Sequence, residues 1–183
     1  APLERVFEQS PAVAGRVLDE QVPVARRIAS GLGNDAAVFL FGAGPNVACA
    51  LDGALKLQEM VQASAHGFEL EEGMHGPWVA MRPGDLAVVY ALRGPGYEKA
   101  KRFVSALSAV GVNVWILTDE PRDMPDVAFV SRLPDVPELF SPLFSALPVY
   151  AFAYELALAR GIRPDSMRLT DERYLDARLK LPR

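Results

Sequence analysis

Three charged residues in an otherwise apolar stretch are the first candidates for chemistry. Asp52, Lys56 and Glu59 stand at i, i+4 and i+7. In an α-helix this spacing places the three side chains on one narrow stripe. The functional interpretation is that these side chains form a charged seam that faces a cleft. The stripe could equally be a solvated edge held by Asp–Lys and Lys–Glu pairs, so geometry alone leaves both interpretations open.

A second candidate is His75, in the glycine-flanked loop expected at residues 71–77. A lone histidine in a loop is usually a surface residue, although histidine can transfer protons near neutral pH. The other histidine, His66, is expected at the end of the long helix, where a cation favours the helix dipole. No histidine or cysteine cluster has ligand spacing, so no metal site is predicted. The single cysteine, Cys49, excludes an intrachain disulfide, and we expect it to be a small buried thiol.

Two glycine-containing turns follow predicted strands and are the candidate anion sites. Backbone N–H groups around Gly44 and Asn46 could attract an anion at a helix start, and Arg93 could pair with one. The glycines could equally serve only to make turns. The Gly-Ala-Gly at residues 42–44 lacks the third glycine of a dinucleotide fingerprint, so we infer no nicotinamide cofactor and expect no cofactor at all.

Strands alternating with helices determine the predicted fold class. Short continuous apolar runs indicate strands that are buried on both faces, and longer periodic segments indicate helices. We predict a single domain over residues 1–183, with an α/β three-layer sandwich around a mostly parallel sheet. It divides into a helical N-terminal segment 1–33, an α/β core 36–161 and a tail 162–183. The expected elements are strands near 38–41, 86–91, 112–117 and 127–130, and helices near 46–65, 97–110 and up to 160.

Composition and charge exclude several classes of protein. Of the 183 residues 23% are charged, with a net charge of −4, which argues against a nucleic-acid-binding protein. No uninterrupted apolar run approaches the ~20 residues that span a bilayer, and the first residues do not resemble a signal peptide. We therefore expect no membrane partner and a cytoplasmic location.

Three motifs in fixed order carry a resemblance to a known family. They are Phe41-Gly-Ala-Gly44, Ala50-Leu-Asp-Gly-Ala-Leu-Lys-Leu-Gln-Glu59 and Met74-His-Gly-Pro77. This pattern resembles the second SIS (sugar isomerase) domain of glucosamine-6-phosphate-synthase-type enzymes. That family reads approximately Leu-Gly-Arg-Gly, Ala-Leu-Glu-Gly-Ala-Leu-Lys-Leu-Lys-Glu and Lys-His-Gly-Pro. The spacing from the helix glutamate to the loop histidine is kept without a gap.

The resemblance implies a flavodoxin-like fold of SIS type and a role for each matched residue. Glu59 would move a proton between C1 and C2 of an open-chain sugar phosphate through an enediol. Lys56 would stabilise the enediolate, and His75 would assist ring opening in the active site of a neighbouring subunit. The implied partners are a sugar phosphate and either a second copy in a homodimer or another SIS domain.

Two departures from the family pattern leave alternatives open. The family's tail carries a lysine beside the sugar, and the tail here has none at that place. The Ser/Thr-rich phosphate loop of the family's first SIS domain is also missing. We therefore expect an isomerase-type domain acting on a hexose 6-phosphate or its amino or glycated derivative, with the phosphate loop supplied elsewhere. The alternatives are a non-catalytic sugar-phosphate-binding or assembly module, and a stand-alone isomerase whose sites form by self-association.

Overall fold

A five-stranded parallel sheet in the order β2-β1-β3-β4-β5 forms the centre of the protein. The structure is a computed structural model and describes residues 2–181, without the side chains of residues 2, 3 and 5. The order 2-1-3-4-5 is that of flavodoxin-like folds, so the predicted fold class is confirmed. The strands are β1 Val38–Gly42, β2 Ala65–Glu69, β3 Leu86–Tyr90, β4 Asn113–Thr118 and β5 Phe129–Arg132. The helices are α1 Pro2–Gly31, α2 Asn46–Val61, α3 Leu70–His75, α4 Tyr97–Ala109, α5 Pro142–Ser145, α6 Leu147–Ala159 and α7 Glu172–Arg178.

Both faces of the sheet are buried, which explains the unbroken apolar runs of its central strands. Successive side chains of a strand point to opposite faces, so β1 contributes to two cores. Val38 and Leu40 pack in the core that α1, α2, α5 and α6 cover. Phe39 and Phe41 pack in the core that α3 and α4 cover. The result is the predicted three-layer arrangement of helices, sheet and helices.

The long N-terminal helix α1 packs along α6 on the first face of the sheet. A two-bond ion pair joins them: Arg26 Nε and one terminal nitrogen donate to the Glu155 carboxylate, each at 2.9 Å. The segment Glu138–Ala159 is long and apolar enough by composition to cross a membrane. More than half of it is buried inside the protein, however, as is usual for the core helix of a globular domain.

The structure corrects the prediction around the end of α2. The helix ends at Val61 and not near residue 65, because Gln62 adopts the left-handed conformation and its N–H caps the last turn. The chain then forms β2, an edge strand that the sequence analysis missed. His66 lies in this strand, near the rings of Phe39 and Phe68, and not at a helix end. The strand was missed because Ala65-His66-Gly67 has neither an apolar run nor strict alternation.

Two further segments differ from the predictions. The glycine-flanked loop at 71–77 is in fact the helix α3, followed by a 3₁₀ turn over Pro77–Ala80. The Glu69 carboxylate caps α3 by accepting from two backbone N–H groups. The fourth predicted strand lies two residues later than expected, as β5. In α3, therefore, capping by the Glu69 side chain outweighs the tendency of Gly73 and Gly76 to form a turn.

Helix α2 is buried on one side only, although its sequence is apolar around most of the helix circumference. Leu51 and Leu55 are 54% and 44% exposed. On the neighbouring helix α6, three more exposed apolar side chains recur at i, i+4 and i+8. We call these five residues the α2–α6 face: Leu51, Leu55, Tyr150, Tyr154 and Leu158.

Candidate active site

Lys56 and Glu59 form a direct ion pair on the last turns of α2. The Lys56 ammonium donates to Glu59 Oε2 at 2.7 Å, and about a third of each side chain remains exposed. The hydrogen bond to Glu59 raises the pKa of Lys56 above its ordinary value. The pair lies next to the α2–α6 face. It therefore combines a proton acceptor and a fixed positive charge at a solvent-accessible position.

The third residue of the predicted stripe, Asp52, points to a different partner. Its carboxylate accepts a hydrogen bond from the Tyr150 hydroxyl of α6. Burial and this bond raise the pKa of Tyr150 to about 12. The charged stripe is thus divided into an Asp52–Tyr150 contact between helices and a separate Lys56–Glu59 pair. The Lys–Glu half of the solvated-edge interpretation is observed, and it does not exclude a role in chemistry.

Glu59 also lines a cavity of about 290 Å³ between the end of α2 and the C-terminal tail. The α2 side is formed by Gln58, Glu59 and Gln62, and the tail contributes Arg168 and Tyr174. This volume approaches the lower end of the range for small-molecule pockets. Neither Arg168 nor Tyr174 was predicted as a site residue, because the family pattern places a lysine in the tail. Nothing in the sequence distinguishes Arg168 from the other arginines of the tail, which include Arg163, Arg173 and Arg178.

His75 lies far from the Lys56–Glu59 pair. It ends α3, which begins where β2 ends, whereas Glu59 lies near the edge at which the parallel strands begin. The two residues are therefore at opposite ends of the sheet, separated by about the 16–20 Å that a five-residue strand or the α2 helix spans. The His75 side chain is 81% exposed, and its Nε2 lies 3.6 Å from Glu71. One chain does not bring its own Glu59 and His75 together.

The usual ligand crevice of this fold is occupied by a carboxylate of the same chain. In open parallel sheets ligands bind where the strand order reverses, here between the ends of β1 and β3. Gly44 and Gly94 follow those two strands. A Cβ added to Gly44 would lie 3.0 Å from Glu138 Oε1, and one added to Gly94 would lie 2.6 Å from it. The Glu138 carboxylate therefore rests over both glycine turns, where an incoming anion would lie.

Arg93, the predicted anion-binding side chain, is already paired on two sides. Its Nε donates to Asp119 at 3.0 Å, and a terminal nitrogen lies 2.8 Å from Asp135. Asp135 and Asp119 both raise the pKa of Arg93 through these bonds. The positive charge of the guanidinium is balanced within the chain.

Asn46 is directed into the protein interior and not towards the crevice. Its amide nitrogen donates to Ser141 Oγ at 2.9 Å, and its carbonyl oxygen accepts from Ser145 Oγ at 2.6 Å. Ser145 Oγ also lies 3.4 Å from the thiol of Cys49. The thiol is buried, and burial raises its pKa. These bonds join the start of α2 to α5.

Substitution of Asn46 by Ala is expected to lower the free energy of unfolding by about 2 kcal/mol, because the buried hydroxyl groups of Ser141 and Ser145 each lose their hydrogen bond to Asn46. Chemical denaturation followed by circular dichroism measures the change. Asn113→Ala, at the exposed start of β4, is the matched control and should change stability by less than about 0.5 kcal/mol. Equal stability of the two variants would contradict the structural role of Asn46.

Within residues 2–181, no group of three or more histidine, cysteine or acidic side chains is arranged to hold a metal ion.

Comparison with known proteins identifies the family. Residues 32–160 match the SIS domain family, so the chain belongs to the SIS domain family. The glutamine–fructose-6-phosphate aminotransferase (isomerizing) of Streptomyces coelicolor is 33% identical over 160 residues, covering 84% of this chain and 26% of that protein. The enzyme of the same name from Pyrococcus horikoshii is 34% identical over 143 residues, covering 78% of this chain and 24% of that protein. The chain thus spans about a quarter of the length of these relatives.

Solved structures support the same fold. The C-terminal domain of glucosamine-fructose-6-phosphate aminotransferase from Francisella tularensis superposes with a TM-score of 0.76 at 19% identity, over 89% of this chain and 45% of that one. The sugar isomerase domain of an RpiR transcription factor from Sphaerobacter thermophilus superposes with a TM-score of 0.68 at 19% identity, over 94% and 97% of the two chains. The chain therefore has the fold of these SIS domains.

Proposed function

We propose that this chain supplies the acid–base half of a phosphosugar isomerase site and acts on a hexose 6-phosphate or its amino or glycated derivative. The observation that carries the proposal is the Lys56–Glu59 ion pair, exposed beside a cavity at the end of α2. The related aminotransferases, whose names specify fructose 6-phosphate, support this class of substrate. The single, buried cysteine is compatible with a cytoplasmic location.

In the proposed reaction the Glu59 carboxylate removes the proton from C2 of the open-chain aldose. The electron pair of the broken C–H bond forms the C1–C2 double bond, and the carbonyl oxygen takes up a proton to give the enediol. Glu59 then returns its proton to C1 while the C2 hydroxyl loses its own proton, which yields the ketose. Lys56 stabilises the negative charge that develops on the enediolate oxygens.

We assign His75 to the site of a second SIS domain, since its own Glu59 is out of reach. The α2–α6 face supports an association of two copies, because it exposes five large apolar side chains next to Lys56 and Glu59. A copy placed on this face would cover the ion pair and could bring its His75 to it. A homodimer is the simplest arrangement that completes the site.

The phosphate is expected to be bound by a partner domain and not in the β1–β3 crevice. Glu138 lies over Gly44 and Gly94 in that crevice, and Arg93 is paired with Asp119 and Asp135. Both features oppose the binding of an anion there. They favour the half-site interpretation over a stand-alone isomerase in which each chain binds its own phosphate.

Proton exchange at C2 of hexose 6-phosphates in D₂O tests the proposed function. Glu59→Gln is expected to lower the exchange rate by about 10²- to 10⁴-fold, the usual contribution of a general base. Glu72→Gln, at an exposed position of α3, is the matched control and should exchange at the wild-type rate. Exchange that Glu59→Gln leaves unchanged would remove Glu59 from the mechanism. Tight binding of the sugar phosphate without exchange would favour the non-catalytic module.

A further inference from the structure

The C-terminal tail forms one wall of the cavity that contains Glu59. The match to the SIS family ends at residue 160, so the family match does not cover this wall. Arg168 and Tyr174 from the tail lie opposite Gln58, Glu59 and Gln62 of α2. The cavity therefore has an acidic side on α2 and a basic, aromatic side on the tail.

The backbone at Arg168 adopts a conformation that L-residues rarely take. Met167 and Arg168 have φ values of +43° and +61°, two consecutive left-handed residues without a glycine. Such residues each cost roughly 1–2 kcal/mol, and they persist where the surrounding structure holds them. Here backbone bonds from Leu169 N to Ser166 O at 2.8 Å and from Asp171 N to Arg168 O at 3.1 Å close the turn. This turn places the Arg168 side chain along the cavity.

The Arg168 guanidinium is oriented by an aromatic ring. Its central carbon lies 4.2 Å from the centroid of the Tyr174 ring, within the range of a cation–π contact. Tyr174 belongs to α7, whose start is capped by the Asp171 side chain. Stacking restricts the guanidinium while leaving its N–H groups available in the plane of the group.

Within the described residues no ion pair joins Arg168 to a carboxylate. The pKa of the nearby Asp171 is lowered mainly by its hydrogen bond to Arg173 and to a smaller extent by the charge of Arg168. The nearby Asp171 is bound by Arg173 at 2.8 Å. Glu59 is bound by Lys56 at 2.7 Å. The cavity is lined by Glu59 and Arg168 but not by Lys56. Because Lys56, outside the lining, balances the charge of Glu59, the charges around the cavity leave one additional positive charge on Arg168.

We propose that Arg168 binds an oxyanion of the substrate in the cavity beside Glu59, and so selects substrates that carry a phosphate or carboxylate group there. A guanidinium can form two parallel hydrogen bonds to either group. An arginine remains protonated and does not add to a carbonyl group as a lysine amine can, so the tail would contribute charge and not a nucleophile. The oxyanion would be the carboxylate of an amino acid attached to the sugar, while a partner domain binds the phosphate, or the sugar phosphate itself, in which case Arg168 takes the place assigned above to the partner domain. The inference rests on the proposed function only for the role of Glu59, because binding by Arg168 is measured separately.

Isothermal titration with two ligands tests the inference and separates the two sources of the oxyanion. The ligands are fructose 6-phosphate, which carries only the phosphate, and fructosyl-glycine, which carries only the carboxylate. Arg168→Gln is expected to weaken binding of one of them by roughly 10-fold or more, since a bond to a charged group contributes about 1.5–3 kcal/mol. Arg168→Lys should restore part of the affinity. Arg173→Gln, in the same tail and paired with Asp171, is the matched control and should bind both ligands as the wild type does.

The possible results distinguish this inference from the proposed function. Equal affinity of Arg168→Gln and wild type for both ligands would overturn the inference, and so would the absence of binding of either ligand by the wild type. Ligand binding that depends on Arg168, without C2 proton exchange, would retain the inference and refute the isomerase function. If Arg168→Gln shows C2 proton exchange with an unchanged KM, the isomerase function is retained and the role of Arg168 is refuted. A higher KM with little change in kcat is the expected split for a residue that binds the substrate equally in ground and transition states.

Discussion

A one-to-one mixture of Glu59→Gln and His75→Ala chains is expected to recover about a quarter of the wild-type proton exchange, although each variant alone is almost inactive. The reason is that Glu59 and His75 lie at opposite ends of the sheet, so that in the proposed homodimer each complete site would take one residue from each of two copies. In random association half of the dimers are mixed. Each mixed dimer contains one site with both substitutions and one site with neither.

Mixed dimers isolated with two different affinity tags should therefore show about half of the wild-type exchange rate. The matched control combines Glu59→Gln with Lys56→Met, two substitutions on the same ion pair. Every site of that mixed dimer lacks one of the two residues, so no recovery is expected. Recovery in the control, or none in the Glu59/His75 mixture, would contradict a site shared between copies. Absence of recovery in the Glu59/His75 mixture would instead favour a different SIS domain as the partner.

Gly42→Ala is expected to have the largest effect on stability, a loss of about 3 kcal/mol or more, because its Cβ has no room. A Cβ at this position would lie 2.2 Å from the carbonyl oxygen of Asn46 and 2.9 Å from the nitrogen of Val47. Both atoms belong to the first turn of α2, which cannot move without separating the helix from β1. We expect the melting temperature to fall by roughly 10 °C.

The matched control is Gly15→Ala in the middle of α1, where an added Cβ meets no atom within 4 Å. That substitution should stabilise the helix by up to about 1 kcal/mol, because alanine has the higher helix propensity. Differential scanning calorimetry of the two variants measures both changes. A Gly42→Ala protein as stable as the wild type would show that the close contact between β1 and α2 is not required.

The sheet could be predicted from the sequence because its central strands are buried on both faces. Runs such as Leu86–Tyr90 are apolar without interruption, and this pattern can be recognised without knowing which strands are neighbours. The edge strand β2 could not be predicted in this way. Its hydrogen bonds to β1 stabilise Ala65–Glu69, and the sequence of an edge strand contains little record of such pairing.

The candidate site could be predicted only in part for a related reason. Residues within one helix keep their spacing, so Lys56 and Glu59 were found together and are observed together. The partners of Asp52, Arg93 and Asn46 are distant in sequence, and no spacing rule identifies them. Glu138 and Arg168 were missed because each reaches its place through a loop or tail whose path depends on tertiary packing.

The position of Glu138 has a consequence for how the domain behaves among the many anions of a cell. A carboxylate attached to the same chain, resting over Gly44 and Gly94, meets the crevice at an effective concentration of millimolar or higher. Free phosphate and small metabolites must compete with this tethered group in every molecule and at all times. A free anion therefore occupies the crevice only when its concentration and affinity together outweigh the contact of the tethered Glu138 carboxylate.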